Sequence, residues 1–309
     1  MKKLLLVLVV LLATAGGVLT LSPTTLLATV QFAERQLAGL SLKSQNVGDL
    51  TYSYYDGGPN DAPVIVMIHG FGANKDNWLR FARPLTADYR VIALDLPGFG
   101  DSSKPANISY DVASQSERVL TLLDALKISK FHVIGNSMGG HISALLAARH
   151  PERVLSAALL DNAGVEAPNK SEFFRRIEQG DANPLVVSKP EDFQRLLDFV
   201  FVEAPPMPTS LQEHFAAQAM ANAAHYELIF GHLRERYVPL EPELPKITAP
   251  VLLLWGDKDR VLDVSSIEVM KPLLQKPSVV VMKNCGHVPM VERPEETADH
   301  YLSFLNQAK

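Results

Sequence analysis

Short apolar runs alternate with amphipathic stretches along most of the chain. Two of these runs, Val64 to Ile68 and Val154 to Leu160, hold no charged residue, which is typical of strands covered on both faces. Further strands are predicted at 52–54, 90–94, 131–134, 251–255 and 279–282. Helical spacing of apolar residues lies between them, as in 110–126 and 142–149. This alternation predicts an α/β fold with a mostly parallel sheet flanked by helices.

The alternation stops between Val165 and Lys246. Apolar residues there follow helical spacing, and prolines divide the stretch into short segments. We therefore predict a helical cap over 165–246 that covers the carboxyl ends of the strands. It would be inserted into a core made of 49–164 and 247–309.

The amino terminus begins with a long uncharged segment. Lys2 and Lys3 precede an apolar run from Leu4 to Leu21, which is at the lower end of the length that spans a bilayer. Paired lysines before the run place its start in the cytoplasm. We predict that 1–21 is a single-pass transmembrane anchor in the inner (cytoplasmic) membrane, with the rest of the chain on the periplasmic side. The alternative is a secreted protein cleaved near Ala13-Thr14-Ala15, a small-residue site of the signal-peptide kind.

The next segment, 22–48, is predicted to be an amphipathic juxtamembrane helix. Ser22 and Pro23 have the residue types of an N-cap and a first helical position. Leu26, Val30 and further leucines recur at three- to four-residue spacing. The helix has three expected positions: on the membrane surface, against a second copy as a homodimer contact, or packed on its own domain.

Composition removes several classes of function. The chain has 309 residues, 47% of them hydrophobic, and a net charge of −5, so a large core is expected and no nucleic-acid partner. A single cysteine, Cys285, excludes an intrachain disulfide. The nine histidines show no H-E-x-x-H spacing, so no metal site is predicted.

The candidate chemistry is centred on Gly135-Asn136-Ser137-Met138-Gly139. This G-x-S-x-G sequence lies between a predicted strand and a predicted helix, which is the context of a nucleophile elbow. Strand and helix approach closely at such a turn, so glycine at 135 and 139 has a steric reason. Ser137 is the predicted nucleophile.

A base and an acid are expected at later strand ends. His287 follows the last strand in a Gly-His-Val-Pro loop, whereas His141, His150, His225 and His232 fall in helical segments. Asp259 follows the preceding strand and is the predicted acid, giving the chain order Ser, Asp, His. Asp257, which is expected to cap its own loop, and Asp161 at an earlier strand end are the other candidates.

An oxyanion site requires main-chain donors close to the nucleophile. The N–H groups of Met138, directly after Ser137, and of Phe71, in His69-Gly70-Phe71-Gly72, are the predicted pair. His69 is expected to hold this loop by hydrogen bonds.

These motifs resemble those of the α/β-hydrolase superfamily of serine hydrolases from about residue 50 to the end. The shared features are the 69–72 loop followed by Lys75, Asp76 and Trp78, the run 95–100, the elbow, Asp259 and His287. The H-G-F-x-A-x-K-D-x-W form is similar to the monoacylglycerol-lipase-like branch, which includes bacterial membrane-anchored lipases and phospholipases A.

The resemblance implies a serine ester hydrolase acting on acyl esters of glycerolipids at a lipid bilayer, without a cofactor. The products would be those of a phospholipase A, a lysophospholipase or a monoacylglycerol lipase. Phe199, Phe201 and Phe230 of the cap are the expected acyl-binding side chains. The alternatives are a carbon–carbon hydrolase of ring-fission products, a general small-ester carboxylesterase and a non-catalytic ligand-binding homologue. Carbon–carbon hydrolases share Gly-Asn-Ser-Met-Gly-Gly but usually carry a Gly-Ser-Gly-Pro-Gly type oxyanion loop, which is absent here.

Overall fold

The computed structural model of the protein describes residues 22–308. The predicted anchor over 1–21 lies outside these described residues. Within 22–308, no helix combines the length and the apolar character needed to cross a membrane.

A single mixed sheet runs through the described part of the chain. Its strands are β1 (Leu40–Val47), β2 (Leu50–Gly57), β3 (Val64–Ile68), β4 (Arg90–Leu94), β5 (Phe131–Asn136), β6 (Val154–Leu160), β7 (Val251–Gly256) and β8 (Pro277–Met282). The strand order is β1-β2-β4-β3-β5-β6-β7-β8. Pairings β1–β2 and β2–β4 are antiparallel, and all the others are parallel. The predicted mostly parallel sheet is confirmed.

The described residues form eleven α-helices, some of which pack on the two faces of this sheet. They are α1 (Pro23–Leu37), α2 (Leu79–Ala82), α3 (Val112–Ala125), α4 (Met138–Arg149), α5 (Glu172–Glu178), α6 (Pro190–Val200), α7 (Thr209–Ala221), α8 (Ala223–Glu235), α9 (Ser266–Met270), α10 (Pro289–Glu292) and α11 (Pro294–Gln307). Side chains of β3 alternate between two apolar layers, because successive residues of a strand point to opposite faces. Val66 packs in the layer that contains Leu145 of α4, and Met67 packs in the layer that contains Tyr301 of α11.

The predicted helix over 22–48 is too long. Helix α1 starts as expected, with the Ser22 side chain accepting the N–H of Thr25, but it ends at Leu37. Gly39 then adopts φ +63°, a conformation that breaks the helix, and 40–47 forms β1 against β2. The sheet therefore begins at Leu40, before the predicted core boundary at 49.

Helix α1 is attached to its own domain by polar contacts. Gln31 Nε2 donates to Asp76 Oδ2 at 2.6 Å, and Glu34 forms ion pairs with Arg80 and Arg83. This is the own-domain position considered from the sequence. The side chains on its outer face are exposed to solvent; Phe32, for example, is 56% exposed.

Residues 165–246 contain helices α5 to α8, one 3₁₀ turn and no strand, as the loss of alternation predicted. The two ends of this stretch meet: the N–H of Leu240 donates to the carbonyl of Gly164 at 2.7 Å. Gly164 has φ +110°, and a Cβ there would lie 2.7 Å from the Leu240 side chain. The chain therefore leaves the core for the cap at Gly164 and comes back beside the same residue at Leu240.

Candidate active site

Ser137 lies at the turn between β5 and α4 in a conformation that non-glycine residues rarely adopt. Its φ and ψ are 57° and −119°, and it is half-buried. The main chain around it is held on both sides: Ser137 N–H donates to Leu160 O at 2.9 Å, and Ala163 N–H donates to Ser137 O at 3.1 Å. The strained serine is thus fixed against the end of β6.

The glycines of the elbow allow strand and helix to approach. A Cβ on Gly135 would lie 2.1 Å from the carbonyl oxygen of Gly139, and a Cβ on Gly139 would lie 2.1 Å from that of Ile68. Both contacts are far below van der Waals distance and involve main chain, so any larger residue would displace the elbow. The steric reason predicted from the sequence is confirmed.

His287 and Asp259 meet beside this turn. The Nδ1 of His287 lies 2.8 Å from Asp259 Oδ2, and both side chains are buried. Asp259 Oδ1 accepts the N–H groups of Val261 at 2.7 Å and Leu262 at 3.0 Å, so the carboxyl has a fixed direction. With Nδ1 donating to a carboxylate, Nε2 of the neutral ring is the acceptor.

Asp257, the competing carboxyl, has a different role in the structure. Its Oδ1 accepts the N–H of Asn284 at 2.8 Å, and its Oδ2 lies 3.5 Å from Lys283 Nζ. These contacts hold the loop that follows β8 and carries His287, rather than Asp257's own loop as was expected.

Asn136 is a functional candidate that sequence reasoning missed. Its side-chain Nδ2 donates to the carbonyl of His287 at 2.9 Å and to that of Leu160 at 3.2 Å. The residue before Ser137 therefore ties the elbow to the loop that carries His287. The G-x-S-x-G pattern leaves this position open, so the motif itself gave no signal.

The 69–72 loop lies against the elbow, as predicted. A Cβ on Gly70 would lie 3.1 Å from the Cβ of Ser137. Buried His69 fixes the loop: its Nδ1–H donates to Gly70 O at 2.7 Å, and its Nε2 accepts Leu96 N–H at 3.1 Å. Burial lowers the pKa of His69, which favours the neutral ring that this pattern needs. Met138 is the first residue of α4, so its N–H has no acceptor within the helix.

A buried ion pair between Lys75 and Asp95 supports the 69–72 loop. The sequence did not predict this pair. Lys75 Nζ lies 2.7 Å from both Asp95 Oδ2 and Asp101 Oδ2, and the Lys75 side chain is 3% exposed. Lys75 N–H adds a 2.7 Å bond to Asp95 Oδ1. Asp95 raises the pKa of Lys75, against the lowering effect of burial. The family motifs contained Lys75 and Asp95, but spacing alone did not show that these two residues pair.

Asp161 lies close to Asp259 and His287. One carboxyl oxygen of Asp161, one of Asp259 and a ring nitrogen of His287 all lie within 4.8 Å of one another. Asp161 Oδ1 accepts the N–H of Gly256 at 2.9 Å. His287 Nδ1 is hydrogen-bonded to Asp259, which leaves Asp161 beside the acid–base pair.

The three cap phenylalanines occupy different environments. The Phe230 ring lies 5.9 Å from the Phe71 ring of the candidate oxyanion loop. Phe199 is buried between guanidinium groups, 5.3 Å from that of Arg176 and 4.9 Å from that of Arg260.

Phe201 is half-buried at the end of α6, and its main chain lies close to the base loop. A Cβ on Gly286 would lie 3.0 Å from the Phe201 Cα. Of the three phenylalanines, Phe230 is the one whose ring contacts the candidate oxyanion loop.

The fold and the elbow are those of the hydrolase class of α/β proteins, and comparison with known families agrees. The alpha/beta hydrolase fold family matches residues 63–294. This span is most of the chain, so the protein belongs to the alpha/beta hydrolase family.

Similar proteins with names indicate which kind of alpha/beta hydrolase this chain resembles. The chain is 38% identical to Lipase 1 of Psychrobacter immobilis over 280 residues, covering 88% of this chain and 86% of the lipase. It is 28% identical to a monoacylglycerol lipase of Mus musculus, covering 92% of this chain and 88% of that protein. A crystal structure of a membrane phospholipase A, described as a bacterial virulence factor, is 63% identical with a TM-score of 0.92, covering 100% and 99% of the two chains. The protein is a carboxylic ester hydrolase.

The carbon–carbon hydrolases are more distant. A meta-cleavage product hydrolase of Pseudomonas fluorescens is 24% identical with a TM-score of 0.74, covering 86% of this chain and 98% of that one. At this distance the likeness shows the shared fold alone.

Proposed function

We propose that the protein is a membrane-bound serine hydrolase that cleaves acyl esters of glycerolipids, in the manner of a phospholipase A, a lysophospholipase or a monoacylglycerol lipase. The observation that carries the reaction type is the 2.8 Å bond between His287 and Asp259, tied through Asn136 to strained Ser137. The lipid substrate is supported by relatives that are named as lipases, a monoacylglycerol lipase and a membrane phospholipase A.

Ser137 is the proposed nucleophile. Its Oγ attacks the ester carbonyl while Nε2 of His287 accepts the proton, and Asp259 orients the ring and stabilises the imidazolium. His287 then gives the proton to the departing alcohol oxygen. Water then attacks the acyl-enzyme carbonyl while His287 removes its proton, and His287 returns this proton to Ser137 Oγ as the acyl–oxygen bond breaks, which releases the fatty acid and free Ser137.

The proposed oxyanion donors are the main-chain N–H groups of Phe71 and Met138. The His69 hydrogen bonds and the Lys75–Asp95 ion pair fix the loop that presents the first of them. Preorganised donors of this kind are typically worth about 2.7–4 kcal/mol each in the transition state. A rigid loop supplies this stabilisation without reorganisation during the reaction.

The cap is proposed to bind the acyl chain. Phe71, Tyr226 and Phe230 form an aromatic cluster, with ring centroids 5.7 Å and 5.9 Å from that of Phe71. Since Gly70 lies against Ser137, this cluster gives an apolar surface on the cap side of the nucleophile. Tyr226 was not predicted from the sequence, because an aromatic residue in a helix is most often a core residue.

For the membrane we propose that 1–21 anchors the protein in the inner membrane with the catalytic domain in the periplasm. The uncharged run after Lys2 and Lys3 supports this, as does the named membrane association of the 63% identical phospholipase A. Helix α1 would then lie at the bilayer surface, its exposed Phe32 and Leu37 in contact with lipid or with a second copy.

A hydrolysis panel tests the substrate class. Purified full-length protein in mixed micelles is given monoacylglycerols, lysophospholipids and diacyl phospholipids, and fatty acid release is measured for wild type and Ser137→Ala. We expect release from at least one glycerolipid class, and loss of nearly all turnover in the variant. Near-wild-type turnover by Ser137→Ala would refute the nucleophile. Hydrolysis of p-nitrophenyl acetate without any glycerolipid cleavage would refute the lipid substrate.

Membrane attachment has its own test. We expect the full-length protein to stay in the pellet after carbonate extraction, to keep Met1 or Lys2 at its amino terminus, and to be cleaved by protease added to spheroplasts. Amino-terminal sequencing that begins at Gly16 would replace the anchor with a cleaved signal. Chemical cross-linking in membranes, compared with Phe32→Ser, would show whether the exposed face of α1 contacts a second copy.

A further inference from the structure

Asp161, directly after β6, carries a fully buried carboxyl group. This group accepts too few hydrogen bonds to stabilise a negative charge. Asp161 is 0% exposed, and its main chain has φ +43°. Its Oδ1 accepts one N–H, from Gly256 at 2.9 Å. Its Oδ2 is buried and accepts no hydrogen bond from any group in the described residues. A buried carboxylate oxygen without a donor is costly, whereas a protonated one becomes a donor itself.

The groups that face Asp161 are mostly acidic. Asp259 follows β7, His287 and Cys285 follow β8, and Glu292 ends α10. Within this set the His287 ring is the only group able to carry a positive charge, and its Nδ1 is already bonded to Asp259. Two buried carboxylates whose oxygens lie within 4.8 Å of each other cannot both be ionised at low cost, so one of the two aspartates keeps a proton.

Donor geometry decides which aspartate this is. Asp259 receives two main-chain N–H bonds, from Val261 and Leu262, together with the bond from His287 Nδ1. Asp161 receives one. Hydrogen bonds to the charged form favour ionisation, so the negative charge belongs on Asp259 and the proton on Asp161.

We propose that Asp161 is a positioning residue that stays protonated through the reaction and donates a hydrogen bond to the Asp259 carboxylate, which keeps that carboxylate directed at His287. The proposal rests on the proposed catalytic role of Ser137, His287 and Asp259. Burial first, then the charge of Asp259, raises the pKa of Asp161 well above its usual range, and a hydrogen bond to Asp259 acts in the same direction. The His287 imidazolium that forms during the reaction would therefore face one negative charge and one neutral acid.

The test compares Asp161→Ala, which removes the donor, with Asp161→Asn, which is neutral and keeps a donor. Asp257→Asn is the control for removing a nearby carboxyl outside the cluster. For each protein, kcat and kcat/KM for p-nitrophenyl butyrate are measured from pH 5 to pH 9. The active fraction is titrated with a fluorophosphonate, and folding is checked by circular dichroism. Ser137→Ala is assayed alongside.

We expect Asp161→Ala to lower kcat per active site by about ten- to hundredfold, the scale on which a misplaced catalytic group loses rate. Asp161→Asn should recover most of that loss. Its acidic limb, where activity falls as the general base takes up a proton, should stay where it is in wild type, because no charge has changed.

Three results would overturn the proposal. If Asp161 is ionised, Asp161→Asn removes a negative charge and moves the acidic limb to lower pH by about one unit or more. If its role is only structural, Asp161→Ala lowers stability but not kcat per active site. If Asp161→Asn is no better than Asp161→Ala, the donor is not what matters. Activity remaining in Ser137→Ala would instead refute the proposed function, so the two failures are distinguishable.

Discussion

The main-chain N–H of His287 donates a 2.8 Å hydrogen bond to the carbonyl of Val200, the last residue of cap helix α6. Glu292 reinforces the same junction. Its Oε2 accepts the N–H of Gly286 at 3.0 Å and of Val202 at 3.3 Å, and its Oε1 accepts that of Glu203 at 3.1 Å. The loop that carries His287 is thus held to the cap as well as to the sheet, so a displaced cap would also displace this histidine.

Removing Glu292 should therefore affect both stability and turnover. In Glu292→Ala three N–H groups lose their acceptor, which we expect to cost about 1–3 kcal/mol in the free energy of unfolding. A looser His287 should also lower kcat. Urea unfolding and ester hydrolysis measure the two effects.

Glu295→Ala is the matched control, because Glu295 is exposed in the first turn of α11. It should change neither quantity appreciably. If Glu292→Ala loses stability but keeps wild-type kcat, the junction with the cap does not position the base.

The two aspartates after β7 should respond very differently to the same substitution. Asp259→Asn is expected to lower kcat by about 10⁴-fold, as loss of the orienting acid does in the best-studied triad. Asp257→Asn should chiefly loosen the bond to Asn284 and lower stability. The measurements are kcat on p-nitrophenyl butyrate and the melting temperature of both variants. The opposite pattern would make Asp257 the acid.

Substitution of Lys75 should lower the free energy of unfolding more than most substitutions outside the candidate site. Lys75→Met leaves Asp95, which is 0% exposed, without its charge partner, and such a loss typically costs about 3–5 kcal/mol. Lys43→Met is the control, since Lys43 is 50% exposed and Arg90 continues to hold Asp56. It should cost less than about 1 kcal/mol. Equal losses in urea unfolding would mean that burial of the ion pair is unimportant.

The sequence predicted an element correctly where the element's own residues carry the pattern, and failed where a distant partner determines the structure. The apolar runs at 64–68 and 154–160 match β3 and β6 residue for residue, because a buried parallel strand tolerates no charge along its length. Residues 40–47 were misassigned because the helical leucine spacing ran on into them, while their partner β2 is what makes them a strand.

The residues of the candidate site also differ in whether a local sequence pattern indicates them. Ser137 and His287 could be predicted as candidates because elbow and loop motifs are local in sequence. Asn136 contacts the carbonyl of His287, in the loop after β8, and no local pattern indicates this contact. Asp161 was considered only as an alternative acid, because its contact with Gly256 N–H at the end of β7 does not show in the sequence either. Phe199 and Phe230 both follow helical spacing, which tells which face of a helix is apolar and not what that face touches.

Acid should weaken the fold through His141. This histidine is buried, its Nε2–H donates to Val238 O at 2.8 Å, and burial lowers its pKa to about 4. Between this value and the unfolded pKa of about 6.5 the unfolded chain binds more protons, so stability falls as pH falls. The slope from this one group is at most about 1.4 kcal/mol per pH unit.

Urea unfolding of wild type and His141→Gln between pH 4.5 and pH 7.5 measures this contribution. The glutamine amide keeps a donor for Val238 O but does not titrate in this range. We expect the stability difference between the two proteins to shift in favour of the variant as pH falls below 6.5. Parallel pH dependences would show that His141 is not a source of acid sensitivity.

Chain-length preference should separate Phe230 from Phe199. Phe230 contacts Phe71 near the nucleophile, so Phe230→Ala should lower kcat/KM for p-nitrophenyl decanoate relative to acetate, by about two- to tenfold if one aromatic contact is lost. Phe199 is buried between Arg176 and Arg260, so Phe199→Ala should cost about 3 kcal/mol or more in stability. Its effect on both esters should be equal per active site. If Phe199→Ala changes the chain-length ratio and Phe230→Ala does not, the acyl chain lies along α6 rather than α8.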